Sequence, residues 1–261
     1  MLTRTEGIVL KTLPYGEADL IVSYLTPDYG LLKTFAKSPR KIKSRFGSSL
    51  EPLTYSRISF WGKEHASLPR LTQSDILHSF YLLRERMDYF FKIIEIIELT
   101  LNFIQEMDAN KKIFLLFLDT LRLIEEDYIY IKKSFNKEDA FNISRIGLLV
   151  NNYKVKFLKF SGFAPKIDSC GRCGNTGNNF YISQGSVLCE SCVKESSVLV
   201  SGGLSMIRLS LPVIKFYNAL MTWDTRKIIR IKPSMNLLEE LSNVLNLHIK
   251  YIISKPLKTR T

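Results

Sequence analysis

The sequence predicts an α+β protein: a small N-terminal β-barrel, then a helical domain that carries an inserted four-cysteine module. Three observations predict it. Five short β-rich segments, punctuated by turn signals, fill the first 75 residues. Apolar residues then recur at helical spacing over most of the remainder. All 4 cysteines fall between positions 170 and 192.

The strands are read at Gly7–Leu13, Leu20–Thr26, Leu31–Lys37, Leu53–Trp61 and Glu64–Leu71, each rich in β-branched, aromatic or aliphatic residues. Pro14-Tyr15-Gly16, Pro27-Asp28-Tyr29-Gly30, the stretch from Pro39 to Gly47, and Gly62 separate them as turns. Five strands in so short a segment point to an OB-fold-like barrel, although periodicity does not distinguish it from an SH3-like one.

The period changes at Ser74. Ile76, Phe80, Leu83, Met87, Phe90, Ile94, Ile97, Leu101 and Ile104 recur at steps of four and three, which predicts one unbroken helix of about eight turns. Thr72 and Asp75 are placed to form a capping box at its start. A second helix is expected over Lys111–Tyr130, with Ile113, Leu116, Phe117, Leu121 and Ile124 inward. A third is expected over Ala140–Phe160, with Ile143, Ile146, Val150, Tyr153, Phe157 and Phe160 inward. Helical patterns resume at Leu204–Leu209, Val213–Met221 and Met235–Ile253, with Pro212 and Pro233 suited to first turns. The expected domains are a barrel over 1–75, a helical domain over 76–165, the insertion over 166–200, and C-terminal helices over 201–261 that complete the helical domain.

Cys170-Gly171-Arg172-Cys173 and Cys189-Glu190-Ser191-Cys192 stand 15 residues apart. Each pair sets two sulfurs on one tight turn, and a hairpin between them brings the turns together, so four thiolates surround one Zn2+ as in a zinc ribbon. Gly171 and Gly174 permit the turn conformations. A site closed by four thiolates has no open position to activate water, so the expected role is structural. A redox CxxC pair belongs after a strand in a βαβ pattern, which is missing here. His65, His78 and His248 lack metal-ligand spacing and read as surface or interface residues.

The composition, 46% hydrophobic and 24% charged, suits a globular protein with a core. The charge is the unusual feature: 37 Lys and Arg against 25 Asp and Glu, for a formal +12, which favours a polyanionic partner. The N-terminus lacks a signal-peptide pattern and no apolar run reaches the roughly 18 residues of a membrane span. With the cysteines clustered rather than spread as disulfides, a cytoplasmic, nucleoid-associated protein without membrane contact is expected.

Between Tyr29 and Leu50 there is no acidic residue, whereas Lys33, Lys37, Arg40, Lys41, Lys43 and Arg45 all fall there. Such cations neutralise phosphates. Lys33, Phe35 and Lys37 share one strand face and Arg40–Arg45 occupy the following loop. Tyr55, Arg57 and Trp61 alternate on another strand; core packing is the expected role of Phe35, Tyr55 and Trp61, with base stacking the other reading. From Arg226 to Thr261 there are eight Lys or Arg against Glu239 and Glu240, a second basic segment or a charged tail.

Taken in order, several segments resemble the RecO family of bacterial recombination mediators. Gly7-Ile8-Val9-Leu10 and Tyr15-Gly16-Glu17-Ala18-Asp19-Leu20-Ile21-Val22 are similar to its opening strands. Lys37-Ser38-Pro39-Arg40, Lys43-Ser44-Arg45-Phe46-Gly47 and Leu50-Glu51-Pro52-Leu53 resemble its basic loop. Ser161-Gly162-Phe163-Ala164-Pro165, before Cys170, is similar to its approach to the zinc module. Leu247-His248 with Lys255-Pro256-Leu257-Lys258 resembles its C-terminal end. The resemblance implies an OB-fold, a helical domain and a zinc ribbon. It implies binding to single- and double-stranded DNA, annealing of complementary strands, and work with RecR to load RecA on DNA coated by single-stranded-DNA-binding protein (SSB). A site for the acidic SSB C-terminal tail is then expected on the helical part, where apolar stripes adjoin Lys232, Lys250 and Lys255.

The rival class is a metal-dependent nuclease or other nucleic-acid-modifying enzyme with a structural zinc. Such chemistry needs clustered carboxylates. Glu17 and Asp19, the close acidic pair of the barrel, sit beside a turn and read as turn and cap residues. A P-loop, a GxGxxG before a helix and a Gly-x-Ser-x-Gly are missing from the sequence. No catalytic residue is therefore expected.

Overall fold

The computed structural model describes residues 2–40, 45–62, 68–133, 139–195 and 206–254. The chain divides into two compact units, Met1–Lys137 and Glu138–Thr261. The helices expected together over 76–165 are shared between them: the first ones belong with the barrel, and the helix from Asp139 belongs with the cysteine module.

In the first unit β1 (Leu2–Tyr15), β2 (Asp19–Thr26), β3 (Gly30–Ala36), β4 (Tyr55–Trp61) and β5 (Arg70–His78) close into a barrel of order β1-β2-β3-β5-β4. The long β1 closes it. Its first half pairs with β4, its second half pairs with β2, and the register shifts between Val9 and Lys11. β3 meets β5 in parallel through Phe35–Arg70 and Ala36–Leu71. A closed five-strand Greek key of this kind is OB-fold-like. Alternate side chains fill the interior: Val9, Val22, Tyr24, Ile58 and Leu71 are fully buried there. Burial of each such side chain contributes about 1.5–3 kcal/mol.

Two expectations fail here for the same reason. The fifth strand runs Arg70–His78, not Glu64–Leu71, whose residues up to Ser67 lie outside the described residues. Ser74, Asp75, Ile76 and His78 pair with β4 instead of starting a helix, and Thr72 Oγ1 donates to the Ser59 carbonyl instead of capping one. β4 offers a complete ladder of backbone partners, which outweighs the helical period. The expected long helix is therefore replaced by α1 (Leu82–Glu85), an extended Arg86 (φ −105°, ψ 112°), and α2 (Met87–Phe103). The buried face of α2 carries Tyr89, Ile93, Ile96 and Thr100, while Phe90, Ile94 and Leu101 are half-buried. Apolar residues surround much of this helix, so its period did not settle which side packs. α3 (Lys111–Lys133) buries Ile113, Leu116, Phe117, Leu121 and Ile124 as expected.

The second unit is organised on α4 (Asp139–Phe160), which packs against α6 (Leu211–Thr222) and α8 (Met235–Ser254). Ile146, Val150, Tyr153 and Phe157 are buried as the stripe predicts. So are Asn151 and Lys154, whose polar ends reach α8: Asn151 Nδ2 donates to the Leu238 carbonyl (3.1 Å) and Lys154 Nζ to Asn246 Oδ1 (2.8 Å). Ser210 caps α6 by accepting from the Val213 amide at 3.3 Å, with Pro212 in the first turn. The short α7 (Thr225–Ile228) follows α6. Between α4 and α6 lies a three-stranded sheet of order β7-β6-β8, formed by β6 (Asn179–Tyr181), β7 (Ser186–Leu188) and β8 (Met206–Arg208), with α5 (Glu190–Lys194) after β7. Of the helix expected at Leu204–Leu209, Met206–Arg208 form a strand instead, and Leu204 and Ser205 lie outside the described residues. The open edge of β6 supplies its ladder, Phe180 opposite Ile207. Among the described residues no helix is long and apolar enough to cross a membrane.

Candidate metal centre and nucleic-acid interface

The cysteine module is assembled by backbone hydrogen bonds. The Cys170 amide donates to the Asn175 carbonyl (2.7 Å) and the Gly174 amide returns to the Cys170 carbonyl (3.0 Å), closing the first knuckle. Gly174 sits at φ +80°, where a side chain is strained. A Cβ at Gly171 would lie 2.4 Å from Ser186 Oγ, so glycine lets the knuckle rest on β7. The second knuckle opens at Cys189, ahead of α5, which carries Cys192. All four sulfurs lie within 4.8 Å of one another, with Cys173 and Cys189 at 3.5 Å. That separation is far beyond a disulfide bond of about 2.05 Å. It approaches the edge of about 3.8 Å that four zinc–sulfur bonds of about 2.3 Å produce.

The donor set fits a soft divalent cation. Cys170 is fully buried, which raises its thiol, but backbone hydrogen bonds from Cys173, Cys189 and Arg172 outweigh burial and draw it down to about 6. Cys192 is pushed up to about 12, chiefly by its hydrogen bonds with Cys173 and Cys189. Crowded sulfurs of this kind resist collective ionisation until a cation compensates them. Tyr181, Leu188 and Val193 pack around the cluster. Cys170, Cys173, Cys189 and Cys192 could together hold one metal ion, and the geometry is compatible with zinc.

The described cations of the basic stretch are distributed unevenly. Lys33 is exposed on β3, but its Nζ lies 2.6 Å from the Glu106 carboxylate, so the stretch is not wholly without a compensating acid. Nothing in the sequence near Lys33 signals this partner, since the segment after α2 reaches β3 only in the fold. Lys37, Arg40 and Arg45 are exposed; Lys41 and Lys43 lie outside the described residues. The loop is tied at both ends. The Ser38 amide donates to Asp19 Oδ1 (2.6 Å) and the Arg40 amide to the Ala18 carbonyl (3.3 Å). At the other end the Arg45 guanidinium stands over the Phe46 ring (4.9 Å) and Nη2 donates to the Leu71 carbonyl (3.5 Å).

The aromatics separate as well. Tyr55 is buried, with the Phe114 ring of α3 6.2 Å away and its hydroxyl bonded to Glu6. Phe35 is half-buried, edge-on to Tyr15 at 5.8 Å. Trp61 was expected in the core but is 61% exposed, because it points outward near the end of β4 while its neighbour Phe60 turns inward. Of the histidines, His78 is on the surface, 2.6 Å from Glu125, and His65 lies outside the described residues. His248 departs from expectation: it is buried, because α8 turns this face toward Phe163 and Phe180.

Comparison with known proteins follows this division. The family model described as recombination protein O N terminal matches residues 1–80, and the one described as recombination protein O C terminal matches residues 139–261. The chain is 42% identical to the DNA repair protein RecO of Thermodesulfovibrio yellowstonii over 246 residues, 94% of this chain and 91% of that protein. The DNA repair protein RecO of Syntrophus aciditrophicus is 29% identical over 98% of this chain and 93% of its own length, and that of Dehalococcoides mccartyi 28% over 97% and 91%. An OB-fold-like barrel, a helical unit bearing a four-cysteine module, and identity of this extent along nearly the whole length together establish that the chain belongs to the RecO (recombination protein O) family.

Proposed function

We propose that this chain acts in DNA repair as a recombination mediator. It binds single- and double-stranded DNA, anneals complementary strands and, with RecR, loads RecA on DNA coated by SSB. The observation that carries this reading is the 42% identity over nearly the full length to a protein named for DNA repair. The formal +12 charge and the exposed Lys37, Arg40 and Arg45 beside the barrel support the DNA contact. Lys33, Lys41 and Lys43 complete the proposed contact set. Cys170, Cys173, Cys189 and Cys192 hold one zinc ion in a closed, structural role. The acidic tail of SSB docks on the helical second unit, where Lys232 and Lys250 are exposed and lie close in sequence to the apolar helical stripes; Lys255 belongs to the same proposed site but lies outside the described residues.

The test is an annealing assay with complementary oligonucleotides coated by SSB, run with and without RecR and RecA. Pairing of the coated strands, and RecA assembly that depends on this protein and RecR, supports the reading. Magnesium-dependent cleavage without annealing overturns it in favour of a nuclease.

A further inference from the structure

A single row of paired residues crosses every strand of the barrel. Leu2 pairs with Trp61, Trp61 with Arg70, Arg70 with Phe35, Phe35 with Ile21, and Ile21 with Leu13. Strand alternation turns this row outward, because the row beside it, Phe60, Leu71 and Ala36, is inward and buried. Leu2, Leu13 and Trp61 are exposed, and Tyr15 adds a further exposed ring at the edge of Phe35. Aromatic surface is therefore spread across neighbouring strands on the solvent side, where it adds nothing to the core. An exposed apolar stretch of this kind marks a binding surface.

The charges beside the row indicate what binds there. Arg70 stands in the row between Phe35 and Trp61, and none of the six paired residues is acidic. Both ends of the basic loop are fixed against this surface. The Arg45 guanidinium donates to the carbonyl of Leu71, next to Arg70. The Arg40 amide is bonded to Ala18, beside the Tyr15–Asp19 pair. Cations thus flank rings that lie about two strand spacings, or roughly 10 Å, apart along the row. Rings for stacking with cations at the margin suit an unpaired strand, whose bases are open on both faces, and not a duplex, whose bases already stack on one another.

We propose that Trp61, Phe35 and Tyr15, with Arg70 among them, form a stacking surface for the bases of single-stranded DNA, while Arg40 and Arg45 hold its phosphates. This rests on the reading that the barrel binds DNA and adds to it the means of preferring an unpaired strand.

The chain has 2 tryptophans, so full-length protein carrying Trp223→Phe reports on Trp61 alone. It is titrated with a deoxythymidine oligonucleotide and with an abasic oligonucleotide of equal length. Quenching by the first and little by the second is expected. Trp61→Ala should weaken single-strand binding about tenfold, the size of one lost base–aromatic stack, with duplex binding changed less than twofold. Trp61→Phe should restore most of the loss. Unchanged fluorescence on tight single-strand binding, or an equal loss for single strand and duplex, overturns the stacking surface and leaves DNA binding in place; the former is what a row that seats a protein partner would give. Failure to bind any DNA overturns both. If Trp61→Ala misfolds, the quenching experiment still decides.

Discussion

The imidazole of His248 donates its Nε2 proton to the carbonyl oxygen of Phe163, 2.9 Å away. A carbonyl only accepts, so the neutral ring is the Nε2–H tautomer. The bond joins α8 to the segment that leads from α4 into the cysteine module. Around it the space is closed: a Cβ at Gly185 would lie 3.0 Å from His248 Cε1, and the Phe180 ring stands 5.9 Å away.

Burial holds His248 below the usual imidazole range, with the bond to Phe163 opposing it in part. The unfolded chain takes up this proton near pH 6.5, whereas the folded chain resists it. The stability that His248 contributes is therefore present above about pH 6.5 and is lost as the pH falls below it. Thermal melting at pH 7.5 and pH 5.5 should show a smaller pH loss for His248→Gln, which retains a donor but not the proton, than for the parent. Proton competition at the cysteines acts on both chains alike, so only the difference between them is read. Equal losses would rule out His248 as the source.

Replacement of Cys170 by Ser should abolish stoichiometric zinc in metal analysis and unfold the module, because its binding energy is folding energy. The barrel should retain its melting transition, since the cysteines belong wholly to the second unit. A chelator should reproduce the effect on the parent chain. A fully folded, zinc-free Cys170→Ser protein would exclude a structural metal.

The cations of the barrel should differ in effect. Arg40→Gln and Arg45→Gln should each weaken DNA binding and flatten the log–log salt dependence by about one unit. Lys33→Gln should do less, because Glu106 already compensates Lys33. Glu106→Gln should strengthen binding by freeing that ammonium. Titrations at several salt concentrations decide; an unchanged slope in the double Arg40→Gln, Arg45→Gln variant would place the phosphate contacts elsewhere.

Gly30 and Gly16 share a positive φ but not a setting. A Cβ at Gly30 would lie 2.1 Å from the Asp108 carbonyl oxygen, whereas at Gly16 nothing stands within 4 Å. Gly16→Ala should cost about 1 kcal/mol through backbone strain alone. Gly30→Ala should cost clearly more, because the turn between β2 and β3 must move away from the segment after α2. Denaturant melts of the two variants test this, and equal losses would contradict the close approach.

Much of the architecture was legible because it is written in local periods. The strands around Val22 and Leu32, the buried stripes of α3 and α4, and the clustering of the four cysteines follow from alternation, 3.6-residue spacing and paired CxxC turns. Each of these requires only a short stretch of chain. What the tertiary structure decided involves partners distant in sequence. Residues Ser74–His78 form a strand and not a helix because β4 offers their backbone a ladder, and Met206–Arg208 form a strand because β6 does. Lys33 is neutralised by Glu106, and Trp61 joins Arg70 and Phe35 on one outer face, only when the barrel closes. Backbone pairing and side-chain burial are satisfied by whatever the fold brings alongside, and a local period carries no record of that neighbour.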